Sequence, residues 1–152
     1  MKEFTNINDI LDFAITREQG AVDFYTRLSV DVSNKEMRDI FVQFAKEEMG
    51  HKAFLEKVKR EGSFDIPSYK IQDIKIADYS IPQEKANEKL TYPEALVIAM
   101  RREKAAFDLY KKLASTIEDP IYSSLFESLA NEELKHKSRF ETEYDDYLSR
   151  EN

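Results

Sequence analysis

The chain contains two histidines, and each closes the same short motif, Glu48-x-x-His51 and Glu133-x-x-His136. Residues three apart share a face of a helix. Each motif can therefore offer a carboxylate oxygen and an imidazole nitrogen to one place. Both motifs interrupt an apolar seam. Around the first, Met37, Phe41, Phe44, Glu48, His51, Leu55 and Val58 alternate at spacings of four and three. Around the second, Tyr122, Phe126, Leu129, Glu133, His136 and Phe140 do the same, with Tyr144 four residues further on. That alternation is the buried stripe of a helix bundle. Two more glutamates break apolar faces: Glu18 between Leu11, Ala14 and Ala21, Tyr25, and Glu103 between Leu96, Ala99 and Ala106, Tyr110.

Four carboxylates and two imidazoles thus take inward positions. Buried carboxylates are costly unless paired, protonated or bound to metal, and four together repel one another. No inward lysine or arginine is read at their level. Arg17 and Arg102 stand next to Glu18 and Glu103 but project about 100° away on a helix. Two divalent cations would balance four carboxylates. Mixed carboxylate and imidazole donors suit iron or manganese, although affinity alone admits zinc.

The elements that must position these groups are four helices. The first runs from Asn6 or Asn8 to Val30. The second opens at Ser33, with Glu36 three residues on as a capping box, and runs to Glu61 with Gly62 as its stop. The third opens at Thr91, with Pro93 and Glu94 in its first turn, and ends near Ile117. The fourth follows Asp119-Pro120 and runs to Leu148. Short breaks make the first pair (6–61) and the second pair (91–148) antiparallel hairpins. Between them, residues 63–90 hold Pro67, Pro82 and a loose set of isoleucines and tyrosines, the pattern of a long crossover packed along the bundle.

The two hairpins repeat each other. A shift of 85 residues without a gap gives 14 identities over positions 14–58. Among them are Arg17 with Arg102, Glu18 with Glu103, Tyr25 with Tyr110, Glu47 with Glu132, Glu48 with Glu133 and His51 with His136. Amphipathic periodicity explains matched apolar residues, but not aligned glutamates and both histidines. The repeat implies a pseudo-twofold axis relating the hairpins.

Composition narrows the function. Without a cysteine, the 152 residues hold no disulfide, no thiolate metal centre and no thiol nucleophile. A formal charge of −7 argues against nucleic-acid binding. The longest apolar run, Ala95–Met100, is far short of the roughly 20 residues that span a bilayer. No secretory signal is read at the start, so a cytoplasmic protein in a single domain (1–152) is expected.

With these residues in place, the chain resembles the ferritin-like di-iron carboxylate proteins. Their pattern is one Glu from each of two helices and Glu-x-x-His from each of the other two. Here it falls on Glu18, Glu48, His51, Glu103, Glu133 and His136. The symmetric short halves, and a tyrosine seven residues after each single glutamate, are most similar to the di-iron domain of rubrerythrins. The resemblance implies an all-α, ferritin-like four-helix bundle with one long crossover and two iron ions, in whose place manganese or zinc could stand. It implies that Glu48 and Glu133 bridge the ions, with Glu18 and His51 completing one site and Glu103 and His136 the other. It further implies a redox protein that reduces H2O2 or O2. Full rubrerythrins carry a cysteine-ligated rubredoxin domain, so electrons here are expected from a separate, rubredoxin-type donor. Family habit makes a homodimer the expected assembly.

Rubrerythrins also carry an extra glutamate three residues after the third-helix ligand, where this chain has Ala106. The six-ligand set is in that respect closer to bacterioferritin's. A ferroxidase or iron-handling role is therefore the alternative, and a metal-stabilised bundle with an interaction role a third. Around the ligands, Glu47 and Glu132 are candidate acceptors for the second N–H of His136 and His51. Tyr25 and Tyr110 share the faces of Glu18 and Glu103 and could bond or shield the carboxylates. Asp23 and Asp108 point off those faces and are read as surface residues.

Overall fold

A computed structural model describes residues 6–61 and 90–151. All regular structure among them is helical: α1 (Ile7–Asp31), α2 (Lys35–Glu61), α3 (Tyr92–Thr116) and α4 (Pro120–Glu151). The crossover read at 63–90 and the stop at Gly62 lie outside the described residues, apart from Leu90. The helices form two compact units, α1 with α2 and α3 with α4.

Side-chain caps fix where the helices begin. Asn6 accepts from the Asp9 N–H at the start of α1. Thr91 and Glu94 form a reciprocal capping box on α3, with Pro93 in its first turn. Asp119 Oδ1 accepts from the Ile121 and Tyr122 N–H groups, and Pro120 opens α4. The second helix departs from expectation. Asn34, not Ser33, supplies the cap, its Oδ1 accepting from Met37 N–H at 3.2 Å. The preceding Val32 N–H still bonds the Leu28 carbonyl, so α1 holds the chain one residue longer and the cap shifts with it. At the other end α4 runs to Glu151 rather than Leu148, since no glycine or proline stops it.

Within the first hairpin, Lys59 pairs with Asp12 and Lys52 donates to Gln19. Residue number rises along α1 as it falls along α2, so the pair is antiparallel. The second hairpin shows the same order, with Lys111 on Glu127 and Tyr92 on Glu143.

Each unit has its own apolar interior. Leu11, Ala14, Tyr25, Leu28, Phe41, Phe44 and Leu55 are buried in the first, and Leu96, Ala99, Tyr110, Leu113, Tyr122, Phe126 and Phe140 in the second. Matched aromatic pairs anchor both: Tyr25 lies parallel to Phe41 at 6.4 Å, and Tyr110 stacks on Phe126 at 5.8 Å. Such pairs contribute about 0.5–1.5 kcal/mol beyond their buried area. They sit two turns from Glu18 and Glu103 and hold the helix backbones that carry those carboxylates.

Candidate metal centre

The charged interruptions of the two seams are buried. In the first hairpin, Glu18 and Glu48 keep 3% and 1% of their surface. His51 Nδ1 stands 3.8 Å from Glu18 Oε2 and 3.7 Å from Glu48 Oε2. In the second hairpin, His136 Nδ1 stands 3.7 Å from Glu103 Oε2 and 3.9 Å from Glu133 Oε2, with all three side chains buried. The structure thus brings together Glu18, Glu48 and His51 in one unit, and Glu103, Glu133 and His136 in the other.

These separations exceed those of good hydrogen bonds. They fit donors around a common cation. With metal–oxygen and metal–nitrogen bonds of about 2.1 Å, two donors on one ion stand at most about 4.2 Å apart. The nitrogen-to-oxygen separations of 3.8 and 3.7 Å in the first hairpin and 3.7 and 3.9 Å in the second lie inside that limit. The two sets of oxygen and nitrogen donors therefore fit a divalent metal ion in charge, chemistry and spacing.

The electrostatics point the same way. Burial lowers the His51 pKa, but the facing carboxylates Glu18 and Glu48 outweigh it and raise the imidazole to about 10. In the protein alone, the ring supplies the positive charge that this acidic pocket demands. A metal ion would supply that charge and take the nitrogen lone pair.

The surrounding residues divide. Tyr25 and Tyr110 are fully buried, their rings held against Phe41, Phe44 and Phe126. Glu47 is half-buried. Glu132 has a side chain 44% exposed and accepts from Lys135 at 3.3 Å, so it faces solvent. Asp23 accepts from Gln19 and Asp108 from Lys104, both on their own helices. Arg17 corrects the sequence reading. About 100° from the glutamate seam, it nevertheless retains only 8% of its surface, and Arg102 is half-buried. The buried side of a helix is an arc of 100° or more, so a residue about 100° from the seam can still lie under packed neighbours. The identity of Arg17 with Arg102 in the repeat was the signal that could have marked them.

Four helices with carboxylate–imidazole clusters on matched turns define a class with known relatives. A hypothetical protein from Pyrococcus furiosus aligns with a TM-score of 0.69 and 23% identity, over 91% of this chain and 88% of that one. An uncharacterized conserved protein from Magnetospirillum magnetotacticum MS-1 aligns with a TM-score of 0.72 and 22% identity, over 90% and 91%. The likeness establishes the fold as a ferritin-like helical bundle. No curated protein matches the chain significantly. The rubrerythrin family profile matches residues 9–144, and the chain belongs to that family.

Proposed function

We propose that the two clusters together form one dinuclear non-haem iron centre, which reduces H2O2 or O2 with electrons from an external donor. The observation that carries the reading is the twofold convergence of two buried carboxylates on one imidazole, once in each hairpin. Each set has a formal charge of −2 with neutral histidine, which one divalent ion balances. In this reading Glu18, Glu48 and His51 would hold one ion, and Glu103, Glu133 and His136 would hold the other. Membership of the rubrerythrin family supports it.

A ferrous pair held there would supply two electrons, enough, with two protons, to convert H2O2 to two waters. The protein's part is to keep both imidazoles neutral once metal is bound, to hold the carboxylates in place and to keep bulk water out. The buried rings of Tyr25, Phe41 and Phe44, and of Tyr110 and Phe126, on the same helices, would serve the last task. The same proposal has re-reduction come from a separate protein such as a rubredoxin-type donor. A cytoplasmic homodimer is part of the same proposal. Among the described residues, no helix is long and apolar enough to cross a membrane.

A second reading, ferroxidase chemistry in iron handling, is favoured by Ala106, which leaves the third helix without an additional carboxylate ligand. Anaerobic loading with Fe(II), followed by rapid mixing with H2O2 or O2 in separate runs, tests both. Oxidation much faster with H2O2, repeated on each addition of reductant, supports the peroxidase. Oxidation of many Fe(II) ions per chain supports the ferroxidase. Binding well below two irons per chain overturns both.

A further inference from the structure

The two clusters are built from the same residues at matched positions, yet they differ in one respect. The four carboxylates are equally buried, at 3% and 1% in the first hairpin and 2% each in the second. The imidazoles are not: the His51 side chain keeps 15% of its surface, against 2% for His136.

The turn that follows each histidine differs in the same sense. A helical side chain leans toward the N-terminus and covers the turn before its own Cα. The residue one turn after His51 is Leu55, and the one after His136 is Phe140. Both are fully buried. The phenyl ring is the larger of the two, and with that lean it would cover more of the histidine before it than a leucine does.

We infer that the ion held by Glu18, Glu48 and His51 is the exchangeable member of the pair, entering and leaving past the open edge of His51, whereas the ion held by Glu103, Glu133 and His136 is retained. The inference rests on the dinuclear reading above. An ion leaves when water replaces its protein donors one by one. An imidazole with an accessible edge is hydrated as it lets go. A fully buried imidazole must part from its ion in apolar surroundings, where an unsatisfied polar group is costly.

The test uses Co(II), which carboxylate and imidazole donors accept and which reports its coordination by visible absorption. The protein is loaded anaerobically with Co(II), gel-filtered, assayed for bound metal, then mixed with excess chelator while the absorption is followed. The expected result is two bound ions that leave in two phases of equal amplitude, with rates differing at least about tenfold, as affinity differences commonly reside in dissociation. His51→Ala should remove the fast phase and leave the slow one. Phe140→Leu, which gives the second cluster the cover of the first, should accelerate only the slow phase. Two ions leaving in a single phase would overturn the inference and leave the dinuclear reading standing. So would a Phe140→Leu protein, folded by circular dichroism, whose slow phase is unchanged. Fewer than two bound ions would overturn both.

Discussion

His51 Nδ1 stands 3.7 Å from Glu48 Oε2, one turn back on the same helix, and Glu18 closes on the same nitrogen from α1. The ring is thereby held between two buried anions, and its pKa reflects them. Burial lowers it, but the carboxylates raise it from 6.5 to about 10. A raised histidine stabilises the metal-free fold fully below its unfolded pKa and loses that contribution as pH rises through the folded value. The stability of the metal-free protein should therefore decline between pH 6.5 and 10. In His51→Gln that part of the decline should vanish. Urea unfolding across this range reads the difference.

The same proton must leave when metal binds. At pH 7, about one proton should be released from His51 per ion bound at its cluster, and apparent affinity should rise with pH. Titration calorimetry in two buffers of different ionisation heat measures the release. Equal apparent heats in both buffers would contradict it.

Much of this site could be read before any coordinates. Glutamate and histidine at seam positions stand out because apolar residues surround them, and a repeat that aligns them twice separates pattern from accident. The caps at Thr91 and Asp119 were equally legible, since their chemistry is local. Ser33 and Asn34 were not separable in this way. Both can cap, and the choice depends on where α1 releases the chain. The burial of Arg17 is not legible in this way, because periodicity finds the centre of a buried face and says little about its margins. The difference between Leu55 and Phe140 is visible in the sequence, but the unequal exposure of His51 and His136 is visible only in the structure.

Removing one carboxylate should expose the conflict between function and stability. Glu18→Gln keeps the shape of the side chain and removes one of two like charges that share a buried pocket. The metal-free variant should be more stable than the parent by about 1–2 kcal/mol, the usual size of a single-site gain at a functional residue. For a chain of this length that is roughly 2–8 °C in melting temperature. The same variant should bind one divalent ion fewer, or bind it much more weakly. Calorimetric melting with and without metal checks both halves, and a less stable metal-free variant would show that the charges are compensated in another way.

The aromatic pair of the second hairpin should be a stability element first. Phe126 is fully buried and stacks on Tyr110. Its truncation to alanine removes that contact and leaves a cavity, at a cost of about 3–5 kcal/mol. Tyr110→Phe keeps the ring and removes only the hydroxyl. If Tyr110 is core alone, that variant should match the parent in its Co(II) spectrum and differ little in stability. If its hydroxyl supports Glu103, the absorption bands should shift while the melting temperature changes little. Recording both properties on both variants separates packing from ligand support, because Phe126→Ala should move stability far more than the metal spectrum.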